Sequence, residues 1–439
     1  MNIGKKIIEL KQDAVIRKSL YVLLIRVVGA GLQMLTMVLI TNNAKETLVG
    51  QYNYFNSTIV LLGALTLLGM NNSFMQFSGR FEAEQQFGKV VSLYKRKLLL
   101  LSITFLSFFL LFIILSQFTD ITYFKDPDVA PVLYRVFLCL FPFSLSLLNF
   151  EVIRALGLLY TSEIFRNLGR YGIFFVFTLI LIFSNQIQWL LDAIIFSFGL
   201  LAIIMTLIIV FRMKELNLGS KTSKVGLKEI LNVSFPMSFS LISLLIMQSF
   251  DVYTLEQYYS IDIIAYYGVA IKISAVVGII LTSINATIAP QISKLFYSNN
   301  NLELKTVIKK ATTLNITLSV PLILVIIFSA NFILSIFGSN YAIAKMTLYI
   351  ILLGQIVNAL CGPVALYLNM TGRQFFLQKL LFVALIINVG MNLLLIPKHE
   401  MIGAAISTAF SFAFWNIFGL LYVFKKDKIN LSIFGLLTK

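Results

Sequence analysis

The chain has 439 residues, 59% hydrophobic and only 12% charged, with a mean hydropathy of +0.89. A soluble domain carries about 25% charged residues, so this composition excludes a water-soluble fold and a disordered chain, and Cys139 and Cys361, both in apolar runs, exclude a disulfide scaffold. The excess of 35 basic over 19 acidic residues would point to nucleic acid in a soluble protein; here its distribution along the chain gives a different account.

A membrane-spanning helix needs about 20 mostly apolar residues. Twelve runs qualify, at 19–40, 52–77, 98–117, 132–152, 168–184, 189–211, 230–250, 263–289, 312–337, 342–369, 375–396 and 401–424. Apolar residues occupy all faces of most runs, as lipid-embedded helices require, without the short alternation of a membrane barrel. Basic residues collect on one side of these runs, 28 against 4 (Lys45, Lys125, Lys345 and Lys398) on the other. Positive charge stays on the cytoplasmic face, so both termini are expected there. The first run is too long for a cleaved signal and is expected to remain as a span. The polar connection 212–229 separates six runs from six. The expectation is an all-α polytopic membrane protein of about 12 transmembrane helices, with one six-helix lobe at 1–211 and another at 230–439.

Three basic residues, Arg26, Arg135 and Lys272, remain within the runs once the 28 and the 4 are assigned to the two sides; an ionisable group there costs several kcal/mol and faces water or a partner. Arg26 lies about 10 Å into the first run, on a small, polar stripe with Gly29, Ala30, Gln33 and Thr36. It either faces a hydrated cavity or snorkels to the headgroups. Arg135, near the edge of its run, reads as an interface residue. Lys272 sits mid-run on a face of Ala265, Gly268, Ala275 and Ser283, facing a cavity or paired with Asp251 or Asp262. Asp251 either lines the pathway or ends a helix. Pro142, Pro236, Pro321 and Pro363 interrupt runs, and Cys361-Gly362-Pro363 predicts a bend. The lone His399 reads as solvated in an external turn. No phosphate loop, HExxH or paired-cysteine metal site is present, so neither a cofactor nor a metal is expected, nor a catalytic residue.

Several stretches carry a resemblance: GQYNYFNSTIVLLGALTLLGMNNSFMQF from Gly50, YYGVAIKIS from Tyr266, INATIAPQISKLF from Ile284, ALYLNMTGRQ from Ala365 and LLLIPKHEMIGAAISTAFSF from Leu393. In this order they resemble bacterial flippases of lipid-linked oligosaccharides, the O-antigen and capsule repeat-unit (Wzx-like) branch of the multidrug/oligosaccharidyl-lipid/polysaccharide exporter superfamily. The resemblance implies a V-shaped, alternating-access exporter that moves an undecaprenyl-pyrophosphate-linked glycan from the cytoplasmic to the external leaflet. Basic residues on the first and eighth spans of related flippases are tied to the lipid pyrophosphate, which implicates Arg26 and Lys272, with Gln33 and Asp251 beside them. Implied partners are the lipid-linked glycan, membrane lipids, and the polymerase and glycosyltransferases of its pathway, with no nucleic acid. A cation-coupled multidrug exporter is the rival. A membrane glycan polymerase is disfavoured because the external loops are short, the largest (118–131) carrying Asp120, Asp126 and Asp128.

Overall fold

The computed structural model describes residues 3–83, 86, 88–118, 129–215 and 225–433, and all regular structure in them is helical. The order is α1 (Ile3–Asn43), α2 (Glu46–Leu67), α3 (Met70–Ala83), α4 (Gly88–Phe118), α5 (Val129–Ala155), α6 (Leu159–Ile164), a π-helical turn (Phe165–Gly169), α7 (Arg170–Phe183) and α8 (Leu190–Glu215). It continues with α9 (Leu227–Tyr258), α10 (Ile261–Tyr297), α11 (Asn301–Phe328), α12 (Ala330–Ile336), α13 (Lys345–Cys361), α14 (Val364–Met370) and α15 (Gln374–Asp427). Nine helical stretches among the described residues are long and apolar enough to cross a membrane. One of these, α15, contains two of the predicted runs, separated where Glu400 turns to φ 50°. The exposed His399 stands beside that break, as expected. The linker residues 216–224, the acids Asp120, Asp126 and Asp128, and the side chain of Pro236 lie outside what is described.

Three runs need correction. The predicted 312–337 helix stops at Phe328, and α12 restarts at Ala330. The predicted 52–77 helix is broken: α2 stops at Leu67, and Leu68 (φ 45°) and Gly69 (φ 75°) turn left-handed before α3. Gly69 adopts that turn freely, but Leu68 does so at a steric cost. The predicted 168–184 run begins earlier, because its helical stretch starts at Leu159. Polar Glu163, Arg166 and Asn167 concealed that first part from a hydropathy reading. Arg166, Arg170 and Lys97, counted above with the cytoplasmic connections, therefore lie within helices.

The chain divides into two compact units: Met1–Leu39, Leu62–Ser116 and Arg135–Met237 form the first, and Ile40–Leu61, Gln117–Tyr134 and Ser238–Lys439 the second. Within the first, α4 repairs the α2–α3 break. Thr104 donates to the Thr66 carbonyl (2.8 Å), and the Lys97 ammonium donates to the Met70 carbonyl (2.6 Å) and the Ser73 hydroxyl (2.8 Å). Lys97 is fully buried, over the rings of Phe74 and Phe77. Thr104 thus supplies a donor to a carbonyl that loses its ladder partner at the break, as lipid surroundings demand, and Lys97 ties the start of α3 to α4. Gly63 lets α2 meet α5 closely, since a Cβ there would come within 2.5 Å of the Phe143 ring.

In the second unit the expected bend at Pro363 is present. Gly362 takes φ 77° and divides α13 from α14. Proline has no N–H for the carbonyl four residues earlier, and Asn315 Nδ2 reaches that carbonyl, on Ala359, at 3.3 Å. The next carbonyl, Leu360, accepts from the Ile433 N–H at 3.0 Å. Residues 428–433 therefore return to the break after α15. Leu431 is buried and its carbonyl accepts from Thr312 (2.8 Å). Ile429 and Leu431 join the apolar core built from α10, α11, α13, α14 and α15.

Candidate functional site

The first unit holds Arg26. Its guanidinium reaches both carboxylate oxygens of Glu163, Nε–Oε2 at 3.2 Å and Nη2–Oε1 at 3.3 Å. The pairing follows from local packing: Gly29, one turn on from Arg26, leaves only 2.8 Å between its ideal Cβ and Asn167 Cβ, so α1 lies close against the α6–α7 stretch. The Glu163 side chain is 1% exposed and that of Arg26 is 35% exposed. One edge of the guanidinium is fixed by a buried carboxylate while the side chain remains accessible. Asn167 donates to both the carbonyl and the carboxylate of Glu163. Gln33 is half-buried two turns along the same face of α1. Arg135, at the edge of α5, pairs with Asp192 at 3.2 Å, each about a third exposed or less.

The second unit holds Lys272 and Asp251. Lys272 is the twelfth residue of α10, about 16 Å along the helix, so its mid-span position stands. Its ammonium donates to Asn53 Oδ1 at 2.7 Å and lies 4.4 Å from the centre of the Tyr52 ring. Asn53 is oriented by its own amide, which donates to the carbonyls of Ile264 (3.3 Å) and Ala265 (3.4 Å). Gly268 makes the space: a Cβ there would stand 2.2 Å from Asn53 Nδ2. Asp251 is fully buried and accepts hydrogen bonds from Tyr267 Oη, Thr408 Oγ1 and the Val252 N–H. Tyr267 is equally buried. Asp251 is therefore an interior carboxylate held by hydroxyls.

Sequence reading found the cations but missed what holds them. Glu163 stands 137 positions from Arg26 and Asn53 stands 219 from Lys272, distances over which no helical spacing gives a signal. Cys139 and Cys361 are free and buried.

Comparison with known proteins places these features. Residues 15–296 match the model of a family described as polysaccharide biosynthesis protein, and residues 236–394 match the MatE model. A "Probable low-salt glycan biosynthesis flippase" of Haloferax volcanii is 29% identical over 152 residues, which cover 34% of this chain and 31% of that relative. An inward-facing multidrug resistance MATE family transporter of the MOP superfamily superposes with a TM-score of 0.72 at 16% identity, over 90% of this chain and 93% of that one. The lipid II flippase MurJ in an inward closed conformation gives a TM-score of 0.71 at 14% identity, over 94% and 90%. The fold is that of these polytopic transporters, and the family match spans well over half of the sequence: the chain belongs to the polysaccharide biosynthesis protein family.

Proposed function

We propose that this protein is a flippase that moves an undecaprenyl-pyrophosphate-linked oligosaccharide repeat unit from the cytoplasmic to the external leaflet for surface polysaccharide synthesis. The observation that carries the reading is a cation inside a spanning helix of each unit, Arg26 and Lys272, in a chain of the polysaccharide biosynthesis family. The glycan flippase of Haloferax volcanii, similar over part of the chain, supports it. The physical task is to carry an anionic headgroup through hydrocarbon while its tail stays in lipid. Arg26 offers planar, bidentate donors to phosphate and Lys272 a point charge. Outward movement of a negative headgroup runs with an inside-negative potential, about 2.3 kcal/mol per charge per 100 mV. The working parts are then the two six-helix lobes, 1–211 and 230–439, joined by 212–229 and acting by alternating access, with both termini cytoplasmic. The pathway's glycosyltransferases supply the substrate and its polymerase receives it; the protein itself makes or breaks no bond.

The test is export. Arg26→Ala and Lys272→Ala each abolish surface glycan when export is compared at equal protein level, and the lipid-linked unit accumulates inside. Full export by both variants refutes the assigned roles. A second reading, a cation-coupled multidrug exporter, is favoured by the MatE match and by Asp251, a buried carboxylate of the kind that binds a proton or cation. Drug resistance conferred on a pump-deficient host, with surface glycan unaffected by deletion, would select it.

A further inference from the structure

The first unit holds more arginine than Arg26. Around the turn joining α5 to α6, Glu151 accepts from Arg166 Nη2 at 2.6 Å and has Arg154 within 4.0 Å. With Arg26 on Glu163, three guanidiniums rest on two carboxylates. Exposure divides by sign. The carboxylate side chains are 1% and 10% exposed, whereas Arg26, Arg166 and Arg154 are 35%, 32% and 41% exposed. The acids are buried, while the guanidiniums they hold remain partly accessible.

Arg170 completes the group. It lies one turn beyond Arg166, about 16 Å along the helical stretch that begins at Leu159. Its guanidinium lies over the rings of Phe143 (5.5 Å), Phe198 (5.4 Å) and Tyr171 (5.4 Å). Among the described residues it makes no hydrogen bond or ion pair, and it is half-buried. Rings engage the face of a guanidinium and leave its in-plane N–H donors unbonded. A cation at this depth with idle donors is costly unless an anion meets it. Four guanidiniums against two carboxylates leave two positive charges in excess, matching a pyrophosphate diester with one negative charge on each phosphorus.

We infer that this arginine cluster of the first unit is a pyrophosphate-binding site, in which Arg166 and Arg170 contact the anion and Glu151 and Glu163 are positioning residues. The inference rests on the flippase reading and extends it by naming where, in the first unit, the headgroup is held. Arg154 stands nearest the turn and Arg170 farthest along the stretch, with Arg26 (on Glu163) and Arg166 between them, so the site runs as a ladder from the turn toward mid-span.

The test uses the purified full chain in phosphatidylcholine nanodiscs, titrated with undecaprenyl pyrophosphate, inorganic pyrophosphate and phosphatidylglycerol. Arg166→Gln and Arg170→Gln each weaken undecaprenyl pyrophosphate binding about tenfold, the loss of one charge-assisted hydrogen bond, and inorganic pyrophosphate competes. Glu163→Gln weakens binding less, and Arg170→Lys restores part of the loss. If a glutamine variant does not fold, the charge-keeping Arg166→Lys and Arg170→Lys carry the test, since lysine cannot supply the planar fork. Wild-type affinity in the variants overturns the site while leaving the flippase reading standing. Equal binding of phosphatidylglycerol overturns it in favour of a lipid-headgroup site. Failure of the wild-type chain to bind undecaprenyl pyrophosphate overturns both inference and reading.

Discussion

The two units solve one problem in different ways. Each holds a cation inside a spanning helix, but in the first Arg26 rests on a buried carboxylate, and in the second Lys272 is received by a neutral amide and an aromatic ring. Salt-bridging fixes the guanidinium rigidly and cancels much of its field, whereas Asn53 and Tyr52, both neutral, orient the ammonium by a hydrogen bond and a ring face. The lesson is that burial depth does not set how a charge behaves; the partner beneath it does.

The contrast fails or sharpens under substitution. Arg26→Leu strands Glu163 in the interior, and breaking such a pair costs about 3 kcal/mol, the low end of the buried range because Arg26 is a third exposed. Thermal unfolding should recover when Glu163→Leu is added. Equal stability of the single and double variants would show that the carboxylate is not dependent on its partner. Gly268→Ala drives a methyl into Asn53 and costs about 1–3 kcal/mol of overpacking; export falls with it because the Asn53 oxygen that receives Lys272 is displaced. Lys272→Leu strands no charge at Asn53, and a stability loss of roughly 1 kcal/mol is expected from the broken hydrogen bond, well below that of Arg26→Leu. A larger loss than for Arg26→Leu reverses the comparison. Arg135→Ala, at a partly exposed pair, should change stability by about 0–1 kcal/mol and leave export intact.

The smallest effect concerns pH. The Asn340 amide donates to Glu46 at 2.7 Å and holds its carboxyl below the usual glutamate range. A depressed folded value contributes stability above the unfolded value, lost as pH falls through the folded one. Glu46→Gln should flatten this slight acid-side slope in a thermal unfolding series. An unchanged slope would assign it to other acids.

Most spans were legible because lipid demands apolar residues on every face, a signal that survives without an alignment. The bend at Gly362-Pro363 was legible because proline removes a donor whatever surrounds it. The break at Leu68 was not, since nothing about a leucine announces a left-handed turn; its causes, Lys97 and Thr104, lie on another helix. Lys97 also deceived by its company, as the run Lys95-Arg96-Lys97 reads as a cytoplasmic connection until one member is found fully buried. The start of the 159–183 stretch was hidden for the opposite reason. Its polar residues are tolerable in a helix only because Arg26 and Glu151 neutralise them from elsewhere.

Residues 428–433 bear on how the protein can be handled. A reporter or affinity handle fused beyond 433 leaves the Ile433 N–H on Leu360 and the Leu431 carbonyl on Thr312. A fusion that replaces 428–433 strips a donor from the α13–α14 joint and uncovers core leucines, so loss of transport in such a chimera would report damage at a bend some 70 positions upstream.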